Sequence, residues 1–219
     1  MKKILFLYGI MMLKLAAPAG ATPILNADWT VNLAIPEGSP VGITTAQTFG
    51  NLPGSPITGV SVDLNIGGGY NGGLFGYLVL QDANGNVATE ILLNHVGTTP
   101  SNPLGSSGSG FNVTLTDSGT VNGDIHGATG IPTGLWQPDS ANTLANTFDG
   151  LTANGTWTLF LVDLYGGGGT STLNSWGLDV NVPDRMQTGL MLGMSGFLIL
   201  VFEKFIRSRR EKLQTRESI

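Results

Sequence analysis

The sequence predicts an all-β protein, an antiparallel sandwich, and three observations carry that expectation. Apolar residues recur at every second position rather than every third or fourth. The runs are short and are separated by glycine-rich or Asn-Gly turn signals. No stretch of the central body carries a helical stripe. Among 219 residues there are 33 glycines and 11 prolines, with 41% hydrophobic and only 11% charged residues. That is too apolar for a disordered chain and long enough to bury a core.

Taken in order, Trp29–Ile35 and Val41–Phe49 are the weaker strands. Val60, Val62, Leu64 and Ile66 alternate with Ser61, Asp63 and Asn65, which marks a strand with one buried face. Phe75–Leu80 and Val87–Leu93 flank Asp82-Ala-Asn-Gly85-Asn86, whose Asn-Gly pair is expected to supply the positive-φ residues of a tight hairpin. Phe111, Val113 and Leu115 form a further strand. Trp157, Leu159 and Leu161 alternate with Thr158, Phe160 and Val162, a strand apolar on both faces and therefore expected to be central. Leu173, Trp176, Leu178 and Val180 lie on the last one, giving about eight strands, with Trp157 and Trp176 both expected in the core. Gly67–Gly69, Gly105–Gly110 and Gly166–Gly169 read as loops.

Charge is distributed unevenly. All ten lysines and arginines lie at residues 2–14 or 185–216, whereas residues 15–184 hold twelve acids and no lysine or arginine. Such a body cannot release counterions from a phosphate backbone, so nucleic-acid binding is excluded. The absence of cysteine removes disulfides, thiolate metal sites and cysteine nucleophiles.

The two ends read as export and anchoring. Lys2 and Lys3, the apolar Ile4–Leu13 and Ala19-Gly20-Ala21 have the order of a secretory signal peptide over residues 1–21. Residues 183–219 read as a sorting and anchoring segment, with a transmembrane helix over about 187–206 followed by a basic tail. Positive charge behind the span keeps that tail cytoplasmic and leaves the β-domain, residues 22–182, outside the cytoplasm.

Two resemblances follow from particular residues. Val182-Pro183-Asp184, then an apolar span, then Arg207-Ser-Arg-Arg210, resembles the VPD-type variant of the bacterial PEP-CTERM sorting signals. That resemblance implies an exosortase-like sorting peptidase as a partner and release to the cell surface or extracellular matrix after tail processing. Ile57-x-x-Val60-x-Val62-x-Leu64-x-Ile66, then Gly155-Thr-Trp157-Thr-Leu159-x-Leu161-x-Asp163 and Leu173-Asn-Ser-Trp176-x-Leu178, is similar to the P (Homo B) domain found behind kexin- and furin-type proteases. It implies a jelly-roll β-sandwich. Where that family has Gly-Asp-Leu this chain has Gly72-Gly73-Leu74.

No catalytic residue is assigned and no enzymatic activity is expected. His95 and His126 are the imidazoles, both read as loop residues, and no Gly-x-Ser-x-Gly elbow occurs. Gly67-Gly-Gly69-Tyr-Asn-Gly72 matches Gly-x-Gly-x-x-Gly, but a strand follows it where a dinucleotide site needs a helix. No cofactor is expected. Calcium has two candidate ligands, Asp63 and Asp163, and Asp163 has a metal-free reading as a cap on the glycine loop behind it. The expected function is that of a non-enzymatic, exported, membrane-anchored envelope protein, structural or adhesive in a surface layer or matrix. The alternatives are a carbohydrate-binding jelly roll, with Tyr70, Trp136 and Tyr165 as exposed stacking residues for an extracellular polysaccharide, and an accessory domain for a separate subtilisin/kexin-like protease.

Overall fold

Alternation with period two does produce strands, nine of them, in a computed structural model that describes residues 21–117 and 121–183. The strands are β1 (Ala21–Ile35), β2 (Ile43–Phe49), β3 (Gly59–Gly67), β4 (Leu74–Asp82), β5 (Val87–Asn94), β6 (Phe111–Thr116), β7 (Thr133–Trp136), β8 (Gly155–Asp163) and β9 (Ser171–Pro183). They form a five-stranded sheet in the order β1-β9-β3-β6-β7 and a four-stranded sheet in the order β2-β8-β4-β5. All pairings are antiparallel except β6 with β7. The inner faces of the two sheets meet in one core that includes Val62, Leu64, Leu78, Leu80, Leu115, Trp157, Leu159, Trp176 and Leu178. This is an all-β sandwich. The expected signal peptide and sorting span lie outside the described residues, as does Asp184. Among the described residues no helix is long and apolar enough to cross a membrane.

The strand most clearly written in the sequence, β3, alternates strictly between buried and half-buried residues. Beside it, β9 does not keep a spacing of two, because Leu173 and Trp176 are three apart yet both fully buried. A bulge reconciles them: Asn65 pairs with Ser175 and Ile66 with Leu173, so Asn174 is the extra residue. Against β1 the same region is irregular, with Thr30 opposite Ser175 and Leu33 opposite Leu173, and Asn32 takes a positive φ of 51° there. The Trp29 ring lies tilted against Trp176, centroids 4.8 Å apart, and approaches Phe49 of β2 at 6.1 Å, bringing aromatic side chains of the two sheets together.

β8 is central, as its two apolar faces predict, between β2 and β4, with Phe160 and Val162 on the face turned away from the core. There Phe160 stacks on Tyr77 with centroids 4.8 Å apart, so aromatic neighbours on the same sheet half-bury each other. The β4–β5 turn is not built on an Asn-Gly pair of positive φ, since only Gly85 has one, 87°. Gly85 N–H donates to the Asp82 carbonyl and Asp82 N–H to the Asn86 carbonyl, which is a type I turn with its third loop residue left-handed. β7, a ninth strand, and a five-residue helix, α1 (Leu144–Phe148), were not expected. Buried Leu144 and Phe148 of α1 join the core, Phe148 lying 5.2 Å from Trp157.

Candidate functional site

Strand directions bring four connections to one end of the sandwich. These are the β1–β2 turn (36–42), the β3–β4 loop (68–73), the long β5–β6 loop (95–110) and the β8–β9 loop (164–170). Their amino-acid content is mostly glycine, serine and proline, so little apolar side chain is available to pack them. Backbone bonds do the work instead. Asn71 N–H donates to the Gly108 carbonyl at 2.9 Å, Gly72 N–H to Ser106 at 2.9 Å, and Leu164 N–H to Gly73 at 2.8 Å. The approach at Gly72 is close enough that a Cβ there would sit 2.1 Å from the Leu104 carbonyl oxygen.

Side chains complete the stitching. The Asn71 amide, fully buried, donates to the Gly110 and Gly130 carbonyls, both at 3.0 Å. One carboxylate oxygen of Glu37 accepts from Gly167 N–H at 2.6 Å and Gly169 N–H at 2.8 Å, a small anion nest filled by the chain itself. The His95 ring stacks on Tyr165 at 5.0 Å, its Nδ1 lies 3.0 Å from the Gly72 carbonyl, and the Tyr165 hydroxyl donates to the Pro103 carbonyl. His95 itself holds a positive φ of 57°.

Asp163 ends β8 beneath this cluster and is buried. It accepts from Tyr165 N–H at 3.3 Å and from the Ser171 hydroxyl at 3.2 Å, the loop-capping arrangement that needs no metal. Burial pushes its carboxyl above the ordinary range, against the pull of those two bonds, and the charge of Glu37 adds to the rise. Asp63 lies elsewhere, on the outer face of β3, where the cross-strand Thr114 hydroxyl donates to it. The two calcium candidates are therefore not brought together, and among the described residues no three acid or imidazole groups converge as a metal site. Of the sorting residues, Val182 is buried at the end of β9 and Pro183 pairs with Ala21.

The second imidazole sits beside the loop end in a short 3-10 turn, Ile125–Gly127, capped by Asp124, which accepts from His126 N–H. Its Nδ1 lies 2.8 Å from an Asp139 carboxylate oxygen and its Nε2 2.9 Å from the Thr98 carbonyl. The Asp139 bond, outweighing burial, raises the imidazole above its ordinary value, while burial raises Asp139 against the pull of that bond. With both nitrogens engaged and no hydroxyl on either, this arrangement holds loops in place and has no nucleophile to activate.

Around these groups the end is apolar. Of the seven large hydrophobic residues exposed among those described, Val41, Tyr70, Leu104, Ile131 and Leu164 lie here, at 39–76% exposure. Tyr70 rests directly on Gly168, where any Cβ would strike its ring. The aromatic expectation is corrected for the other two residues. Tyr165 is half-buried under His95, and Trp136 is half-buried against the core with its indole N–H on the Thr133 carbonyl. Glu37 and the His126–Asp139 pair were missed in the sequence, because their partners lie 130 and 13 residues away and no local pattern announces either.

No protein-family model matches the chain, and no curated protein matches it. Among solved structures, the fold is similar to a chain from the complex of the Aeromonas sobria serine protease with its chaperone, at 18% identity, over 81% of this chain and 29% of that one, with a TM-score of 0.44. The Aeromonas sobria serine protease alone gives 16%, 80%, 29% and 0.44. A structure of infectious bursal disease virus, Gt strain, gives 14%, 76%, 32% and 0.32. This chain thus spans about a third or less of the structures it matches. Likenesses this distant carry no functional argument, and the class stated here, an all-β sandwich, rests on its own strand pairing.

Proposed function

We propose that this protein is a non-enzymatic, exported envelope protein whose sandwich is a P-domain-like jelly roll, anchored through its C-terminal segment and serving a structural or adhesive role. The orders β1-β9-β3-β6 and β2-β8-β4-β5 support the jelly-roll reading, because they are those of two interleaved Greek keys, with β7 added at an edge. The charge pattern supports export and anchoring, with every lysine and arginine at residues 2–14 or 185–216.

The observation that carries the adhesive role is the loop end. Four exposed apolar side chains, Val41, Tyr70, Leu104 and Leu164, stand on loops that a dense set of backbone bonds holds in one arrangement, and Ile131 stands just ahead of β7 at the same end. A surface kept both apolar and rigid is what a binding face requires. Tyr70 on its glycine seat favours one version of this role, a carbohydrate stacking on the exposed ring face.

Fractionation of cells producing the full chain tests the proposal. The protein should be found outside the cytoplasm, membrane-bound or surface-released, with its first residue near Thr22. Full-length protein retaining Met1 in the soluble cytoplasm would overturn it. For the glycan version, a panel of neutral polysaccharides should retain the protein, and Tyr70→Ala should abolish retention without changing the melting temperature.

A further inference from the structure

The β5–β6 loop is held at its start by buried Val96 and in its far half by backbone bonds from Asn71 and Gly72. The stretch between, Thr98–Leu104, is tied to the sandwich through the Pro103 carbonyl that Tyr165 holds and the Thr98 carbonyl. Asn102 folds it upon itself, donating to the Gly97 and Gly105 carbonyls. Gly97 and Gly105 both take positive φ, 78° and 71°, and at the entrance Gly97 N–H donates to the His126 carbonyl at 2.6 Å. Thr98, the next residue, is held through its carbonyl by His126 Nε2.

What faces His126 decides its protonation. Asp139 accepts at Nδ1 and also accepts from Asn94 N–H at the end of β5. Asp124, on the ring's own turn, adds a second carboxylate. The Thr98 carbonyl accepts at Nε2. Neighbouring His95 turns its ring away, onto Tyr165 and the Gly72 carbonyl. No lysine or arginine occurs from residue 15 to residue 184, so nothing nearby can replace the imidazole's charge. A carboxylate and a carbonyl can only accept, and a neutral imidazole has one N–H. Only the doubly protonated ring satisfies both partners; the neutral ring must aim a lone pair at one of them.

We propose that His126, as an imidazolium, is a proton-dependent pin that fixes the β5–β6 loop at Thr98, and that its deprotonation frees the Thr98–Leu104 stretch of that loop and so moves Leu104 at the apolar loop end. The inference gains its functional meaning from the loop-end reading above, but its geometry stands without it. The direction of the imidazole's titration, raised by the Asp139 bond, agrees: the pin is set below the raised midpoint and is withdrawn as pH climbs through it.

The test follows the ring and the loop separately, on the full chain labelled for NMR in detergent micelles, between pH 5.5 and 9. The two histidine ring signals, assigned with His126→Gln, should show His126 titrating above ~6.5, the ordinary histidine value. The Gly97 and Gly105 amides and the Leu104 methyls should shift with that same midpoint. In His126→Gln these loop signals should take their high-pH positions throughout, while the Trp157 indole signal stays in place as the check on folding. Should that variant not fold, Asp139→Asn serves instead, and should lower the His126 midpoint by roughly half a pH unit or more. Loop signals that ignore the His126 midpoint, or a His126 midpoint at or below the ordinary value, would overturn the pin. Loss of the binding role alone, in the fractionation and polysaccharide experiments, leaves these readouts unchanged, so the two failures are distinguishable.

Discussion

Asp163 and Asp82 show two opposite fates for a carboxylate in a domain without lysine or arginine. Asp163 is buried with two donors, and desolvation wins, raising its carboxyl above the ordinary range. A group whose folded value is raised contributes stability that is full below its unfolded value and is lost as pH rises through the folded one. Asp163→Asn, which keeps an acceptor and removes the buried charge, should therefore melt no lower than the parent at pH 7. Added calcium should move neither melting temperature; a calcium-induced rise in the parent alone would restore the metal reading. For Asp82, burial alone would raise the carboxyl, but the Asn86 side-chain amide and the Asn86 and Asn84 N–H groups together hold it below its usual value. Here the sign reverses. Its contribution is present above the unfolded value and fades as pH falls through the folded one. Asp82→Ala should cost about 1–3 kcal/mol at pH 7 by urea unfolding, with the difference from the parent shrinking at pH 3. Trp157, fully buried with its indole N–H on the Ala153 carbonyl, should cost about 3–5 kcal/mol when changed to alanine.

At the scale of elements, legibility follows the length and regularity of each pattern. β3 and β6 could be read because their apolar residues recur at every second position, and β8 because a run apolar on both faces fits a central strand. β7 could not, since Thr133-Gly-Leu-Trp136 has no buried residue and no alternation. α1 spans five residues, too few for a 3.6-residue period to repeat. The bulge at Asn174 was hidden in a spacing of three between Leu173 and Trp176, which neither a strand nor a helix explains alone. In the loops the sequence offered glycines, and the structure says which of them are obligatory. Gly72 is one, its missing side chain giving the Leu104 carbonyl its place. Gly72→Ala should push the β5–β6 loop outward at a cost of about 1–3 kcal/mol in urea unfolding, with faster amide exchange confined to residues 95–110. Uniformly faster exchange across β3 and β8 would show that the loop and the sheets are one unit after all. The candidate site was legible only in part: Tyr70 and Asp163 announced themselves by type and position, whereas Glu37 and the His126–Asp139 pair depend on contacts that only the folded topology creates.

Across the whole molecule, Ala21–Pro183 carries eleven acids and no lysine or arginine. Few attractive ion pairs can offset this repulsion; among the described residues the pair found is His126 with Asp139. Salt should therefore stabilise the fold, because screening weakens repulsion between exposed charges more than it weakens anything else present. The urea midpoint should rise between 10 and 200 mM sodium chloride with an unchanged slope. A fall would mean that unrecognised favourable pairs dominate the surface.

The position of β9 has a mechanical consequence. The last strand of the sandwich does not lie at an edge: it runs between β1 and β3, antiparallel to both, and its final residue pairs with the first of β1. A pull applied at Pro183 therefore runs along a strand flanked on both sides. The load falls on two rows of hydrogen bonds in shear, many bonds sharing it at once, where an edge strand would peel away one bond at a time. Under the proposed C-terminal anchoring, drag on the domain would pass into the body of the five-stranded sheet through a strand gripped on both sides, the end from which the sheet is hardest to unravel.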